Sequence, residues 1–276
     1  MFMVTLTGTG RLRRASALVL LGAVALFSVP ACAAGSSILD KDSLVIGVKP
    51  DQPGLGMKDA DGEFTGFDVD VAAYIARKLG KSARFVATPS SEREKALMEG
   101  SVDLVVATYS ITPERKTKVA FGGPYYVAHQ DTLVRAGESG IAGVRALKGR
   151  KLCQVTGSNS WRRVKEERKI AVELVEAASY SECISDLNAG KVDAVSTDDL
   201  ILAGFATPDL KIVNAPFSDE RYGVGIQAGD LDGCEAVNKA ITEMYLDGTA
   251  KNLLQKWFAK SGLALTFTVP QFEGCG

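Results

Sequence analysis

The sequence has almost no histidine, the side chain that enzymes use most often for acid–base catalysis and metal binding. It contains a single histidine, His129, among 276 residues. No Cys or Ser motif accompanies His129, and the chain has no phosphate-binding glycine loop, no metal-ligand spacing and no nucleophile elbow. We therefore expect a protein that is not an enzyme and needs no cofactor or metal. His129 is assigned a structural role.

The sequence also lacks an excess of basic residues and an apolar run long enough to cross a bilayer. Its 32 basic and 33 acidic side chains leave no excess of positive charge of the kind that indicates nucleic-acid binding. The largely apolar run 15–29 covers 15 residues, whereas a membrane-spanning helix needs roughly 20. Because Arg11, Arg13 and Arg14 precede this run, we expect residues 1–31 to be an export signal peptide. The 245 residues that remain suffice for two lobes.

The end of this segment predicts a lipid anchor. Residues 29–32, Val-Pro-Ala-Cys, resemble the lipobox of bacterial lipoproteins, in which Cys32 becomes the acylated first residue of the mature chain. We expect residues 32–37 to form a tether that holds the exported protein at the outer face of the cytoplasmic membrane. The alternative is ordinary cleavage after Ala31 or Ala34.

Four cysteines remain if Cys32 carries a lipid, and in an exported chain an even number favours disulfides. We expect Cys153 to pair with Cys183 and Cys234 with Cys275, because each bridge then stays within one sequence neighbourhood. The sequence alone allows three connectivities.

Strand-like apolar segments alternate with helical ones, which is typical of α/β folds. The first strand segments are 44–48, 84–87 and 102–107, and helical patterns occupy 68–79 and 92–99. Near the end of the chain, 235–246 and 249–259 predict two amphipathic helices. The apolar faces of these two helices should be buried: Val237, Ile241, Met244, Leu253, Leu254, Trp257 and Phe258.

An internal echo indicates two related halves. Four residues recur after 90 positions: Leu97, Gly100, Val102 and Asp103 as Leu187, Gly190, Val192 and Asp193. In both copies a helix ends at Gly and a buried strand follows. We expect lobe 1 to comprise 38–129 and 222–276, and lobe 2 to comprise 130–221. Segments 130–135 and 222–227 are interpreted as paired hinge strands beside a central cleft.

A cation in the first turn of a predicted helix indicates an anion site. Thr112 and Pro113 are a helix cap and a first-turn proline, yet Arg115 follows them and opposes the positive end of the helix dipole. A carboxylate matches its two parallel donors, and Thr108 and Ser110 supply hydroxyl groups on the approach. The alternative is a solvated surface arginine.

Two loops of the second half are predicted to face the same cleft. Strand 151–155 runs into Ser158 and Asn159 before a helix that begins near residue 161, which leaves backbone amides free. Asp198 follows strand 194–197, where an acid would complement an ammonium group. Asp199 is the alternative, or both acids are helix caps.

Nearly all of the mature sequence resembles the extracellular solute-binding proteins of polar amino-acid uptake systems. Segment 66–71 with Ile75, Ala76 and Leu79 fits the family signature, and 103–115, 122–125 and 247–249 fit later motifs. The resemblance implies a type II periplasmic-binding-protein fold and a monomer that delivers amino acids to an ABC permease and its ATPase. It also implies that Asp68 and Asp70 order a helix start.

The resemblance further implies roles for individual residues. Arg115 and Ser110 would bind the α-carboxylate of an amino acid, Thr108 and Asp198 its ammonium group, and Ser158 and Asn159 would close from lobe 2. Binders of cationic amino acids usually carry an acid at the position of Lys49. The glutamate and aspartate binders of the family resemble this sequence at Lys49 and at Arg93. Both would meet a distal carboxylate, with a hydrogen bond from Ser90.

Several alternatives remain open from the sequence. Lys49 and Arg93 could instead form ion pairs with Asp51 and Glu94. Gln52 occupies the position where many relatives place an aromatic wall, and Tyr109 and Phe67 are the two candidates to supply that wall instead. We expect a binder of glutamate, with aspartate as the second ligand. The competing functions are glutamine and asparagine binding, a sensor that presents the amino acid to a receptor, and a dehydratase or murein lyase of the same fold.

Overall fold

The computed structural model describes residues 1–8 and 37–275. The predicted signal-peptide core, Cys32 and most of the tether lie outside these residues. The strands are β1 (Ser43–Val48), β2 (Asp51–Gln52), β3 (Gly56–Lys58), β4 (Phe64–Thr65), β5 (Ser82–Ala87), β6 (Leu104–Val105), β7 (Val119–Arg135), β8 (Lys151–Val155), β9 (Glu173–Ala177), β10 (Val195–Asp198), β11 (Leu210–Ile212) and β12 (Ser218–Gln227). The helices are α1 (Phe67–Lys78), α2 (Arg93–Met98), α3 (Pro113–Lys116), α4 (Ser160–Arg162), α5 (Tyr180–Asn188), α6 (Asp199–Phe205), α7 (Leu231–Leu246) and α8 (Thr249–Phe258).

The central sheet confirms the α/β expectation. Its strand order is β10-β7-β12-β6-β1-β5, with β11 also paired to β7. Strand β1 runs parallel to β5 and to β6, so the carboxyl ends of these three strands lie at one edge. The predicted strand 102–107 is shorter than expected, because regular pairing covers only Leu104–Val105.

The predicted hinge segments 130–135 and 222–227 belong to two strands, β7 and β12, that pair with each other, but the two segments themselves do not pair. Strand β7 spans 17 residues, and its first part pairs antiparallel with β12, from Val119 opposite Gln227 to Gln130 opposite Ser218. Its last part, which includes the predicted hinge segment 130–135, pairs mainly with β10 and β11. The exact lobe boundaries stay a prediction.

The second half contains its own parallel sheet. The acids that recur after 90 positions, Asp103 and Asp193, make equivalent hydrogen bonds in the two halves. Strands β8 and β9 are parallel. The Asp103 carboxylate accepts a hydrogen bond from the backbone N–H of Val45 in β1 (2.7 Å), and Asp193 accepts one from the N–H of Lys151, where β8 begins (2.8 Å). Each echoed acid therefore joins the end of a helix–turn unit to the first strand of its half.

The two signature acids lie in the first turn of α1 and also make tertiary contacts. Helix α1 begins after Gly66, which makes no side-chain cap. Asp68 is fully buried and accepts hydrogen bonds from Tyr125 and from the backbone of Thr108. Asp70 contacts Trp257 and Lys256 of α8. Both acids lie in the first turn of α1, where negative charge favours a helix start, and their tertiary contacts add to the structural role expected of them.

Helices α7 and α8 bury the faces that the apolar periodicity predicts. Val237, Ile241 and Met244 are fully buried in α7, as is Leu254 in α8. Phe258 is 3% exposed, while Leu253 and Trp257 pack at the edge of the same core. The apolar residues of these helices are therefore core residues.

Both predicted disulfides are present. The Cα atoms of Cys153 and Cys183 are 5.7 Å apart, and those of Cys234 and Cys275 are 5.9 Å apart. The first bridge joins β8 to α5, and the second joins α7 to the C-terminal segment. Such bridges typically stabilise a fold by about 2–4 kcal/mol.

The described residues contain neither a membrane-spanning helix nor a cluster of metal-binding side chains. Among residues 1–8 and 37–275, no helix is both long and apolar enough to cross a membrane. The same residues contain no group of three or more His, Cys, Asp or Glu side chains that could hold a metal. His129 contacts the carboxylate of Asp219 at 2.9 Å on the surface.

Candidate functional site

A small enclosed cavity lies between the two halves of the molecule. Its volume is about 10 Å³, which is room for about one water molecule. Most of the residues predicted to bind a ligand line it: Ser90, Arg93, Thr108, Ser110, Arg115, Ser158, Asn159 and Asp198. Lys49 lines a neighbouring cavity of about 470 Å³.

The enclosed cavity lies beyond strand ends, where ligands bind in open α/β sheets. From the first half, Ser90 and Thr108 follow β5 and β6. From the second half, Ser158 follows β8, and Asp198 is the last residue of β10. Local strand-end placement is thus the reason that residues distant in sequence meet here.

Arg115 is buried, so the surface-arginine alternative is excluded. Helix α3 begins as predicted, with the Thr112 hydroxyl accepting a hydrogen bond from the Arg115 backbone N–H at 3.2 Å. The Arg115 guanidinium donates to the carbonyl oxygens of Ser110 (2.7 Å) and Gly157 (3.0 Å), and its Nε lies 3.2 Å from the Glu94 carboxylate. The residue is 7% exposed. A buried fork of donors thus faces the cavity.

Arg93 and Arg115 are held on the same aromatic ring. Their guanidinium carbons lie 4.5 Å and 4.8 Å from the centroid of the Tyr109 ring, close enough for cation–π attraction. Arg93 also donates to the carbonyl oxygens of Ala107 (3.0 Å) and Gly157 (3.1 Å). Burial, with the like charge of Arg115 adding to it, lowers the pKa of Arg93 to about 10. Arg93 and Arg115 are thus two neighbouring buried cations, and Glu94 is the acid that forms an ion pair with one of them, Arg115.

Tyr109 and Phe67 are not the ligand wall that the sequence suggested. Tyr109 is fully buried beneath the two guanidinium groups and packs against Phe121, 4.8 Å between ring centroids. Phe67 packs in the core against Tyr125 and Phe258. Tyr109 therefore positions the arginines, and Phe67 belongs to the core.

Lys49 follows β1 and is 3% exposed. Its Nζ donates to the Ser90 hydroxyl at 2.6 Å, so Lys49 contacts an uncharged partner and not Asp51, the alternative that the sequence left open. Burial, followed by the charge of Arg93, lowers the pKa of Lys49 well below its usual value. An anion beside Nζ would oppose that shift, because it favours the charged form.

Asp198 supplies a buried carboxylate opposite the cations. It is 3% exposed, and burial, with Glu220 adding like charge, raises its pKa well above the usual value for an aspartate. It occupies the cap position of α6 but makes no capping hydrogen bond, whereas Asp199 accepts from the N–H groups of His129 and Leu200. An ammonium group in the cavity would stabilise the ionised form of Asp198.

Asp68 holds Thr108 in an uncommon backbone conformation. Thr108 has a φ of +45°, a region that non-glycine residues seldom adopt. Its N–H donates to Asp68 at 2.8 Å, and its hydroxyl contacts Gln52 at 3.1 Å. Burial raises the pKa of Asp68 to about 7. The signature acid thereby fixes a residue of the cavity wall.

Three residues that line the enclosed cavity were not predicted from the sequence: Tyr180, Thr197 and Ile201. Tyr180 is the first residue of α5, after the cap residue Ser179, and it lines the larger cavity as well. A helix start that follows strand β9 is the signal that could have identified it, since the same logic identified Ser158.

The chain resembles known proteins across most of its length. The profile of the bacterial extracellular solute-binding proteins, family 3, matches residues 44–260. A glutamate-binding protein of Corynebacterium glutamicum is 38% identical over 85% of this chain and 88% of its own length. The glutamine-binding protein of an ABC transporter of Bacillus subtilis is 36% identical over 80% and 83%. The structure of an ancestral arginine-binding protein bound to glutamine has a TM-score of 0.74 and 36% identity over 80% of this chain and 99% of its own.

Proposed function

Because the chain belongs to the bacterial extracellular solute-binding proteins of family 3, we propose that it captures glutamate for an ABC importer, with aspartate as the candidate second ligand. It acts as a monomer without catalysis and passes the amino acid to a permease driven by an ATPase. The proposal includes export and a lipid anchor at Cys32 on the outer face of the cytoplasmic membrane. The glutamate-binding relative supports this choice of cargo.

The observation that carries the proposal is the set of three buried cations in the cleft. Lys49, Arg93 and Arg115 are each no more than 7% exposed. Buried cations that lack matched anions are unfavourable, and Glu94 at 3.2 Å from Arg115 supplies only part of the compensation. A ligand with two carboxylates would stabilise the cluster.

We place the amino acid along the cleft, with its α-groups in the enclosed cavity and its distal carboxylate towards Lys49. Arg115 and Ser110 bind the α-carboxylate, and Asp198 with Thr108 binds the ammonium group. Lys49, Arg93 and Ser90 meet the distal group, and Ser158 with Asn159 closes the cleft. A cavity of about 10 Å³ is too small for these groups, so the halves must separate for entry and close afterwards, a hinge motion about the β7–β12 pair.

Isothermal titration calorimetry with glutamate, aspartate, glutamine and asparagine tests the cargo. We expect glutamate to bind most tightly among the four. Stronger binding of both amides than of both acids would refute the acidic cargo. Recovery of the bound amino acid after long incubation, followed by mass spectrometry, tests the absence of catalysis: a dehydrated or cleaved product would refute it.

Glutamine is the second candidate cargo. The larger cavity contains Asp51 and Glu92 as well as Lys49, and the lowered pKa of Lys49 favours a neutral partner while no anion is bound. The glutamine-binding relative points in the same direction. The same calorimetric series decides between the two, because the glutamate-to-glutamine ratio reports whether Lys49 meets a charge.

A further inference from the structure

The enclosed cavity and the larger cavity meet at one place in the cleft. The enclosed cavity contains Arg115 and Asp198, whereas the larger one contains Lys49. The two share two lining residues, Ser90 from the first half and Tyr180 from the second. If the proposed function is correct, the side chain of the amino acid passes between Ser90 and Tyr180.

The Tyr180 ring is a fixed wall of this passage. The residue is 6% exposed, and its hydroxyl lies 2.7 Å from the Ser158 hydroxyl, 3.0 Å from that of Ser160 and 2.7 Å from that of Thr197. A phenol has one donor and two acceptor positions, so three partners saturate it. Rotation of the ring away from the passage would break all three contacts.

The opposite wall is fixed as well. Ser90 is 4% exposed, and its hydroxyl accepts the hydrogen bond from Lys49. A Cβ placed on Gly157 would lie 2.5 Å from the backbone of Ser90 and Ser91, so the second half packs against this turn through bare backbone. The width of the passage is therefore set by packed groups.

We propose that Tyr180 is a specificity-determining residue that selects ligands by the length of their side chain. A distal carboxylate that ends beside the ring is desolvated and has only Arg93 within reach, a cation already bonded to backbone carbonyl oxygens, which is costly. A carboxylate carried past the ring reaches Lys49. Glutamate has one methylene more than aspartate between its two ends, so Tyr180 favours glutamate over aspartate.

Calorimetric titration of four proteins tests this proposal. The wild type, Tyr180→Phe, Tyr180→Ala and the control Tyr245→Phe are each titrated with glutamate and with aspartate. Tyr245→Phe is the matched control, because it removes a tyrosine hydroxyl bonded to the carbonyl of Tyr125 at 3.0 Å, outside both cavities. Circular dichroism and thermal unfolding establish that each variant folds, and Tyr180→Leu replaces the alanine variant if that one does not.

The expected readout is the ratio of the two dissociation constants. The wild type and Tyr245→Phe should prefer glutamate at least tenfold. Tyr180→Phe should weaken both ligands while keeping the ratio within threefold, because the ring remains and only the hydroxyl contacts are lost. Tyr180→Ala should reduce the ratio at least tenfold. A purely structural role would weaken both ligands equally and leave the ratio unchanged, which would overturn the proposal.

Failure of the proposed cargo is distinguishable from failure of this inference. If the wild type binds glutamine and asparagine but neither acid, the cargo is wrong, and the same ratio test applies to the two amides because it concerns length. A wild type that binds both members of a pair equally well would overturn the role of Tyr180 while leaving amino-acid capture intact.

Discussion

Replacing Arg115 with alanine should weaken glutamate binding strongly while leaving the fold in place. The guanidinium is buried and directs two N–H groups at carbonyl oxygens of Ser110 and Gly157. Alanine removes both donors and the charge, so a ligand α-carboxylate at this position would lose its paired partner.

The structure sets the size of the effect. Truncating one partner of a buried charge pair costs about 2–5 kcal/mol. Arg93 reaches the same Gly157 oxygen, at 3.1 Å against 3.0 Å for Arg115, so one cation stays close to the ligand carboxylate. We therefore expect the lower part of that range, about 2–3 kcal/mol, which is a loss of roughly 30- to 150-fold in affinity.

The fold should tolerate this change because the partner left behind is partly exposed to solvent. The Glu94 side chain is 21% exposed, so losing its ion pair with Arg115 should cost about 1–3 kcal/mol of unfolding free energy. Calorimetric titration measures the affinity, and urea unfolding measures the stability. Arg115→Lys is the matched control: it keeps the charge but not the planar fork, and it should bind with intermediate affinity. A folded Arg115→Ala protein whose affinity lies within threefold of the wild type would refute the assignment.

Three further outcomes are expected. Lys49→Met should shift the preference from glutamate towards glutamine by roughly tenfold, about 1.4 kcal/mol, and Arg93→Met should act in the same direction; equal weakening of both ligands in calorimetry would place the distal group elsewhere. Burial raises the folded-state pKa of Asp68 to about 7 from the ordinary 3.8, so its proton stabilises the fold fully below about pH 4, and this stabilisation is lost as the pH rises through about 7. Urea unfolding of Asp68→Asn should lack that loss, about 4 kcal/mol; a variant with the same pH dependence as the wild type would contradict this. Cys32→Ala should release the protein from membranes on fractionation, and unchanged membrane association would contradict the lipid anchor.

Local chemistry explains which parts of the cavity could be predicted. Arg115 breaks the helix-dipole rule, and Ser158 and Asp198 stand at strand ends, so a short segment is enough to identify each of them. Lys49 was also predicted to lie in the cleft; it follows the last residue of β1 and lines the larger cavity.

Features that depend on distant pairing could not be predicted in the same way. The start of β7 at Val119 is set by its long register with β12, and nothing within the segment 122–124, Gly-Gly-Pro, indicates a continuous strand. The position of Tyr180 depends on how β9 aligns with β8, from Lys151 opposite Glu173 to Val155 opposite Ala177. The hydrogen bond that Asp68 accepts from the backbone N–H of Thr108 could not be predicted either, because Thr108 is 40 residues away in sequence.

The carbonyl of Gly157 has a consequence for how ligands are chosen. It accepts hydrogen bonds from both Arg93 and Arg115, so a molecule that takes these donors exchanges places with a peptide oxygen of the protein itself. A neutral carbonyl gains little by this exchange, because it replaces an acceptor of equal strength. A carboxylate gains, because hydrogen bonds to ionised acceptors are roughly twice as strong. We therefore expect the Gly157 carbonyl to compete with a bound ligand for these donors, so that an acceptor stronger than an amide oxygen is favoured.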